Sequence, residues 1–155
     1  MRHATPSILA LDLGTATGWA LLSEGKVVSG TFDMSPRSKG EKPGIRFLRF
    51  RKEFLPNFKQ VREIYYEEVR RHEGTHAAHV YGGFWAFLCA FCEENTIPLY
   101  PVEVAQWKQS IGCKGNAKKE EVLETIQKRG FNPKDYNEAD SLGILTYARS
   151  RRNAD

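Results

Sequence analysis

The run "SILALDLGTATGW", residues 7–19, narrows the fold more than any other part of this 155-residue chain. Its first half is apolar apart from Ser7 and Asp12, and it closes in a glycine-bounded turn, the pattern of a strand followed by a tight turn. "GWALLS" and "VVSGTFDM" follow with only "EGK" between them. The chain therefore opens as three consecutive antiparallel strands. An acid inside an apolar strand needs a reason, because a buried charge is costly unless it is paired or bound to a metal. Asp12 either hydrogen-bonds its own turn or belongs to a site.

The remaining elements place that strand in a larger frame. "SPRSKGEKP" is a loop, and "GIRFLRFRKEFL" is a helix that stops around Pro56, with Ile45, Leu48 and Leu55 near one face and Phe47, Phe50 and Phe54 widening it. "REIYYEEV" is a fourth strand, "HAAHVYGGFWAFLCAFCEEN" an apolar helix, and "IPLYPVE" a short fifth strand. A short helix over "VAQWKQSIG" and a loop over "CKGN" follow. Asn116 and Gly130 are credible caps for "AKKEEVLETIQKRG", and "NEADSLGILTYARSR" is the last helix. The order β-β-β-α-β-α-β-α-α-α predicts an α/β domain, a mixed five-stranded sheet flanked by helices. It spans residues 1–155, with a basic tail from about residue 150. No apolar run reaches 18 residues, so no membrane span is expected. The first residues make a poor signal peptide, and three cysteines do not make a disulfide framework. A reducing cytoplasm is the expected setting.

Two motifs compete for a metal. "HEGTH", residues 72–76, fits the zinc-peptidase pattern H-E-x-x-H. That pattern needs a helix through both histidines, and Gly74 weakens one. In the longer form of the motif, His79 stands where a glycine belongs and Gly82 where the last histidine belongs. These histidines are better read as loop and helix-entry surface, and Cys89 and Cys92 as buried helix.

The carboxylates offer the other route. Glu67 and Glu68 are adjacent on the fourth strand and point to opposite faces, so one of them faces whatever Asp12 faces. Asn137 and Asp140 are three apart on the last helix and share a face, unless they only cap it. Together, acids from strand one, strand four and the last helix suit Mg²⁺ or Mn²⁺, which take oxygen ligands and leave room for phosphates. The formal charge of +4 permits a polyanionic partner. The distribution argues for one, since basic clusters at residues 35–52, 69–71, 107–119 and 148–152 flank the acids.

Four segments, "LALDLGTATGWAL", "YYEEV", "WKQSIGCKGNAKKEEV" and "NEADSLGILTYA", occur in the order found in RuvC-like Holliday junction resolvases of the RNase H-like superfamily, over roughly residues 7–149. In length the chain is most similar to the phage-borne members. The resemblance implies a homodimeric, Mg²⁺- or Mn²⁺-dependent endonuclease. It would nick opposed strands of a four-way or branched DNA junction, with two ions per site and 5′-phosphate ends. It implies Asp12, Glu67 and Asp140 as metal ligands, with Glu68 in reserve, and Lys119 at the scissile phosphate with Lys108 nearby. Asn137 stands where some members carry another acid, so it coordinates neutrally, Glu138 substitutes, or it only caps. Arg70, Arg71, Lys108, Lys114, Lys118 and Lys119, with the loop at 35–43, would contact DNA. Arg70 replaces an aromatic of some relatives. The apolar helix at 80–92, with Phe84, Trp85, Phe87 and Phe91, is a candidate dimer surface or a doubly covered core helix. Other readings of the same residues are a YqgF-type nuclease acting on RNA, an RNase H-like ATPase lobe using "DLGT", and a catalytically silent DNA-binding module.

Overall fold

Strand β1 (Ile8–Asp12) sits in the middle of the sheet and is buried on both faces, which is why it is apolar at nearly every position. The computed structural model describes residues 6–153. Strands β2 (Ala16–Ser23) and β3 (Lys26–Asp33) continue from β1 as an antiparallel meander. Strands β4 (Glu63–Glu67) and β5 (Leu99–Val102) add in parallel on the other side of β1, giving the order β3-β2-β1-β4-β5. The predicted mixed sheet and element order are both observed. Because β2 alone runs the other way, β1, β3, β4 and β5 all end at one edge of the sheet.

Alternation along β1 divides the core. Leu9, Leu11 and Leu13 join a cluster with Phe50, Phe54, Phe84 and Leu88, under helix α1 (Ile45–Arg49) and helix α2 (Thr75–Asn95). Ile8 and Ala10 join a second cluster with Trp107, Val122, Ile126 and Leu145. Helices α3 (Val104–Ser110), α4 (Lys119–Lys128) and α5 (Tyr136–Asn153) cover that face.

The first predicted helix is less regular than its sequence suggests. After α1 the chain takes a π turn over Phe50–Phe54 and a 3₁₀ turn over Leu55–Phe58, which carries Pro56 near its start. This stacks Phe50 on Phe54 with centroids 5.5 Å apart and sets Phe58 edge-on to Phe54 at 5.1 Å. Of the three residues grouped on one helix face, Leu55 is buried, while Ile45 and Leu48 are 40% and 37% exposed. Buried Arg49 takes the inward place instead. Its guanidinium pairs with Glu41 at 2.5 Å and donates to the carbonyls of Met34 and Ser35, tying the loop between β3 and α1 to the core. At the other end of the chain, α5 runs on through Asn153, so the basic residues expected in a tail from 150 are helical as far as they are described. Arg152 holds Glu63 through contacts of 2.6–3.1 Å. Among the described residues no helix is long and apolar enough to cross a membrane.

Candidate functional site

Leu11 of β1 pairs with Tyr66 of β4, so Asp12 and Glu67 come next, side by side, where both strands end. Alternation turns Asp12 to the face of Ile8 and Ala10, and Glu67 to the face of Tyr65, all on the side covered by α3, α4 and α5. Glu68 falls on the opposite side, where Arg70 approaches it at 3.3 Å. Of the two glutamates, Glu67 is therefore the one that shares a face with Asp12.

The non-catalytic explanations for the acids are taken up by other residues. The turn after β1 is held by Thr17, whose hydroxyl donates to the Gly14 carbonyl at 2.7 Å and accepts from the Gly14 N–H at 3.3 Å. Asp12 is not needed there. The start of α5 is capped by Asp135, which accepts from the Glu138 N–H and the Thr31 hydroxyl, both at 2.8 Å. Glu138 is buried and accepts from the Ser29 hydroxyl at 2.9 Å and the Lys134 N–H at 2.8 Å. Asn137 and Asp140 are thus not the cap, and both carboxylate oxygens of Glu138 already accept structural hydrogen bonds.

Helix α5 reaches the acids because β2 yields at Gly18, the partner of Asp12 across the β1–β2 ladder. A Cβ on Gly18 would lie 1.9 Å from the Asn137 carbonyl oxygen. With no side chain in the way, the first turns of the helix rest on the sheet and bring Asp140 over it.

The electrostatics follow from that crowding. Burial raises the Asp12 carboxyl well above its usual range, Glu67 and Asp140 raise it further, and Lys119 opposes them. Asp140 is pushed up to about 7, first by burial and then by Glu67, against the pull of Lys108 and Lys119. Burial also raises Glu67, offset by the indole of Trp107 and by Lys108. No ion pair among the described residues involves any of the three acids. Nor does any buried side-chain N or O among them lack a partner, so acid oxygens without one open to solvent.

The sign of the pH effect is fixed by these shifts. A carboxyl whose pKa is raised on folding stabilises the fold while protonated, in full below about pH 4 and progressively less as pH climbs through the folded value. For Asp140 that value is about 7. The protein without divalent ions should therefore melt lower at pH 8 than at pH 5. Asp140→Asn should make that slope shallower and raise the melting temperature at pH 8 by about 2–4 °C or more, as expected for at least 1 kcal/mol in a domain of this size. Calorimetry across this range giving the same slope for both proteins would show that the carboxyl is not under strain.

The donors are three carboxylates that repel one another without a paired cation, a set that suits a hard divalent ion. Among the described residues no three His, Cys, Asp or Glu side chains are already gathered tightly enough to hold one ion, so ligation would require the acids to close on it.

Comparison with solved structures gives the wider frame. RuvC from Thermus thermophilus is similar over 96% of both chains, with a TM-score of 0.73 and 22% identity. The same protein in complex with a Holliday junction substrate is similar over 94% of this chain and 96% of that one, with a TM-score of 0.74 and 20% identity. The chain has the RNase H-like fold of RuvC. The yeast mitochondrial Holliday junction resolvase is similar over 92% of this chain and 77% of its own, at a TM-score of 0.59 and 14% identity. No family model matches the sequence, and no curated protein does.

Around the acid site of this RuvC-like fold, the predicted cations divide into two groups. Lys119 is the first residue of α4, with its Nζ 6.0 Å from the Tyr136 ring centroid, and its charge is felt at Asp12 and Asp140. The predicted cap at Asn116 is replaced by Lys118, two residues later. Lys108 donates to the Ala117 carbonyl at 2.8 Å and acts on Glu67 and Asp140. Lys114 and Lys118 are exposed on the loop between α3 and α4. Arg70 and Arg71 lie on the loop after β4, where Arg70 is paired with Glu103 at 2.7 Å as well as with Glu68. Tyr81 steadies that loop, donating to the Glu67 carbonyl at 2.9 Å and accepting from the Val69 N–H at 3.3 Å.

The histidine motif does not form a helical zinc site. His72 and Glu73 precede α2, Gly74 at φ 90° starts it, and only His76 of the pair lies within it. All three cysteines are free. The sequence reading missed Gly18, Asp135 and Trp107. Gly18, as the second glycine of the turn "GTATG", could have been suspected, whereas Trp107 carries no such signal.

Proposed function

We propose that the chain is a divalent-metal-dependent, structure-selective endodeoxyribonuclease of RuvC type that cuts four-way or branched DNA. The observation that carries this reading is the meeting of Asp12, Glu67 and Asp140 at one end of the sheet, with Lys108 and Lys119 close enough to act on them. The fold's likeness to a RuvC bound to a Holliday junction supports the choice of substrate.

In this reading Asp12, Glu67 and Asp140 hold Mg²⁺ or Mn²⁺, and Asn137, one turn from Asp140, adds a neutral oxygen. The ions, two per site, would supply an activated water and stabilise the leaving oxygen, giving 5′-phosphate ends. Lys119 faces the charge that develops on the phosphate, and Lys108 holds the loop that leads into its helix. Arg70, Arg71, Lys114, Lys118 and the loop at 35–43 meet the phosphodiester backbone and set register without reading sequence. The surface ion pairs of Arg70 are weak enough to exchange for phosphate.

A homodimer would place two sites on opposed strands. The outer face of α2, where Trp85 is 43% exposed while Phe84, Leu88 and Phe91 are buried in the core, is the candidate contact. A cytoplasmic setting fits three free cysteines.

The test is cleavage of a synthetic four-way junction, a linear duplex of the same arms and a structured RNA, each with Mg²⁺, Mn²⁺ or chelator. Paired nicks in the junction alone, lost in chelator, are expected. Cleavage of the RNA instead of the junction, or cutting that persists in chelator, would overturn the reading. Sedimentation of a monomer at working concentrations would remove the dimer.

A further inference from the structure

We infer that Trp107 is a positioning residue whose indole N–H holds one oxygen of Glu67 and leaves the other to face a metal ion. This rests on the metal-dependent reading above and extends it to a residue on a different helix. Trp107 lies on α3, is fully buried, and donates from Nε1 to Glu67 Oε2 at 2.7 Å. An indole N–H only donates, so the contact has one direction, and it is stronger when its acceptor is an ionised carboxylate. Oε1 accepts from no protein donor among the described residues, so it is the freer of the two oxygens for an ion.

The ring is fixed from its other side by α5. A Cβ on Gly143 would lie 2.6 Å from both Cε3 and Cζ3 of Trp107, so the indole lies against bare helix backbone. Gly143 follows Asp140 by three residues and shares its helix face. One rigid side chain with two rotatable bonds therefore bridges the helix face that carries Asp140 and the strand carboxylate of Glu67. The same ring lies 5.7 Å from the Nζ of Lys108, whose hydrogen bond to the Ala117 carbonyl leads into the first turn of α4 and Lys119. Three groups assigned to the site are thus spaced from one indole. Packing alone would need an aromatic of this size but no donor. The donor's effect is on the carboxylate, as hydrogen bonds behind metal ligands are on the groups they orient.

Trp107→Phe keeps an aromatic ring and deletes the donor. Calorimetric titration with Mn²⁺ alone, without DNA, should show affinity falling about 10–100-fold, the range for losing such a partner. Junction affinity in chelator should be unchanged. Cleavage should fall in kcat with little change in KM, and raised Mn²⁺ should restore it toward the wild-type rate. Should Trp107→Phe fail to fold, substitution by the benzothiophene analogue of tryptophan, which keeps both rings and replaces N–H by sulfur, gives the same test. Gly143→Ala, which displaces the ring, should reproduce the Mn²⁺ defect. A folded donor-less variant that binds Mn²⁺ as tightly as wild type would overturn the inference alone. Wild type that binds no Mn²⁺ would overturn the metal-dependent reading together with it.

Discussion

Asp12→Asn should abolish junction cleavage, by about 10³-fold or more, while leaving junction binding and the fold intact. The size follows from the role: metal-assisted stabilisation of transition-state charge is worth several kcal/mol, and each 1.36 kcal/mol is a factor of ten. The retained fold follows from the structure. Asp12 makes no bond to its own turn, which Thr17 closes, and its carboxyl is raised by burial and by Glu67 and Asp140. An amide there removes repulsion, so the variant should melt no lower than wild type above pH 7. DNA affinity should hold because the cations that would contact phosphate lie on other elements. The measurement is single-turnover cleavage of a four-way junction in Mg²⁺, with gel-shift binding in chelator and a thermal melt of the same preparations. A variant that cuts within tenfold of wild type would take Asp12 out of the mechanism.

Gly18→Ala is expected to be the most damaging small change in the chain. The added methyl would stand 1.9 Å from the oxygen and 2.4 Å from the carbon of the Asn137 carbonyl. Both are backbone atoms of α5, so no side chain can swing aside. Either the helix lifts or the sheet bends, and overpacking of this kind costs about 3 kcal/mol or more. For a domain of this size that corresponds to a fall of roughly 6–12 °C in melting temperature. Because the same helix carries Asp140, the acids separate as it lifts, and a misplacement of about 1 Å costs about 100-fold in rate. Cleavage should therefore fall further than stability alone explains, even well below the melting temperature of the variant. An alanine variant that melts within 2 °C of wild type and cuts at the wild-type rate would show that the helix does not rest on the strand at this point.

The sheet was legible in the sequence for a physical reason. A strand buried on both faces must be apolar throughout, so "SILALDL" declares itself and the acid at its end stands out. The elements that failed were those decided by contacts distant in the chain. Phe50, Phe54 and Phe58 reach inward only through a π turn and a 3₁₀ turn, while Ile45 and Leu48, which fit a helical stripe, stay at the surface. The spacing of "NEAD" leaves open whether Asn137 and Asp140 cap α5 or share a site, and Asp135, held by Thr31 more than 100 residues away, takes the cap. Period-two alternation shows that Glu67 and Glu68 diverge but not which one shares a face with Asp12; the strand pairing decides it. Trp107 carries no local mark at all, since a tryptophan in a short helix reads as core until the carboxylate at its N–H is seen.

The pairing of buried Arg49 with Glu41 bears on how the basic loop would meet a polyanion. Fixing the backbone of a free residue costs about 1–2 kcal/mol in lost conformational entropy. A segment anchored near its end by Glu41, with Arg49 also gripping the carbonyls at its start, has surrendered much of that freedom during folding. Arg37, Lys39 and Lys42 would then approach phosphates from a half-rigid arm, and more of their electrostatic attraction would survive as net affinity.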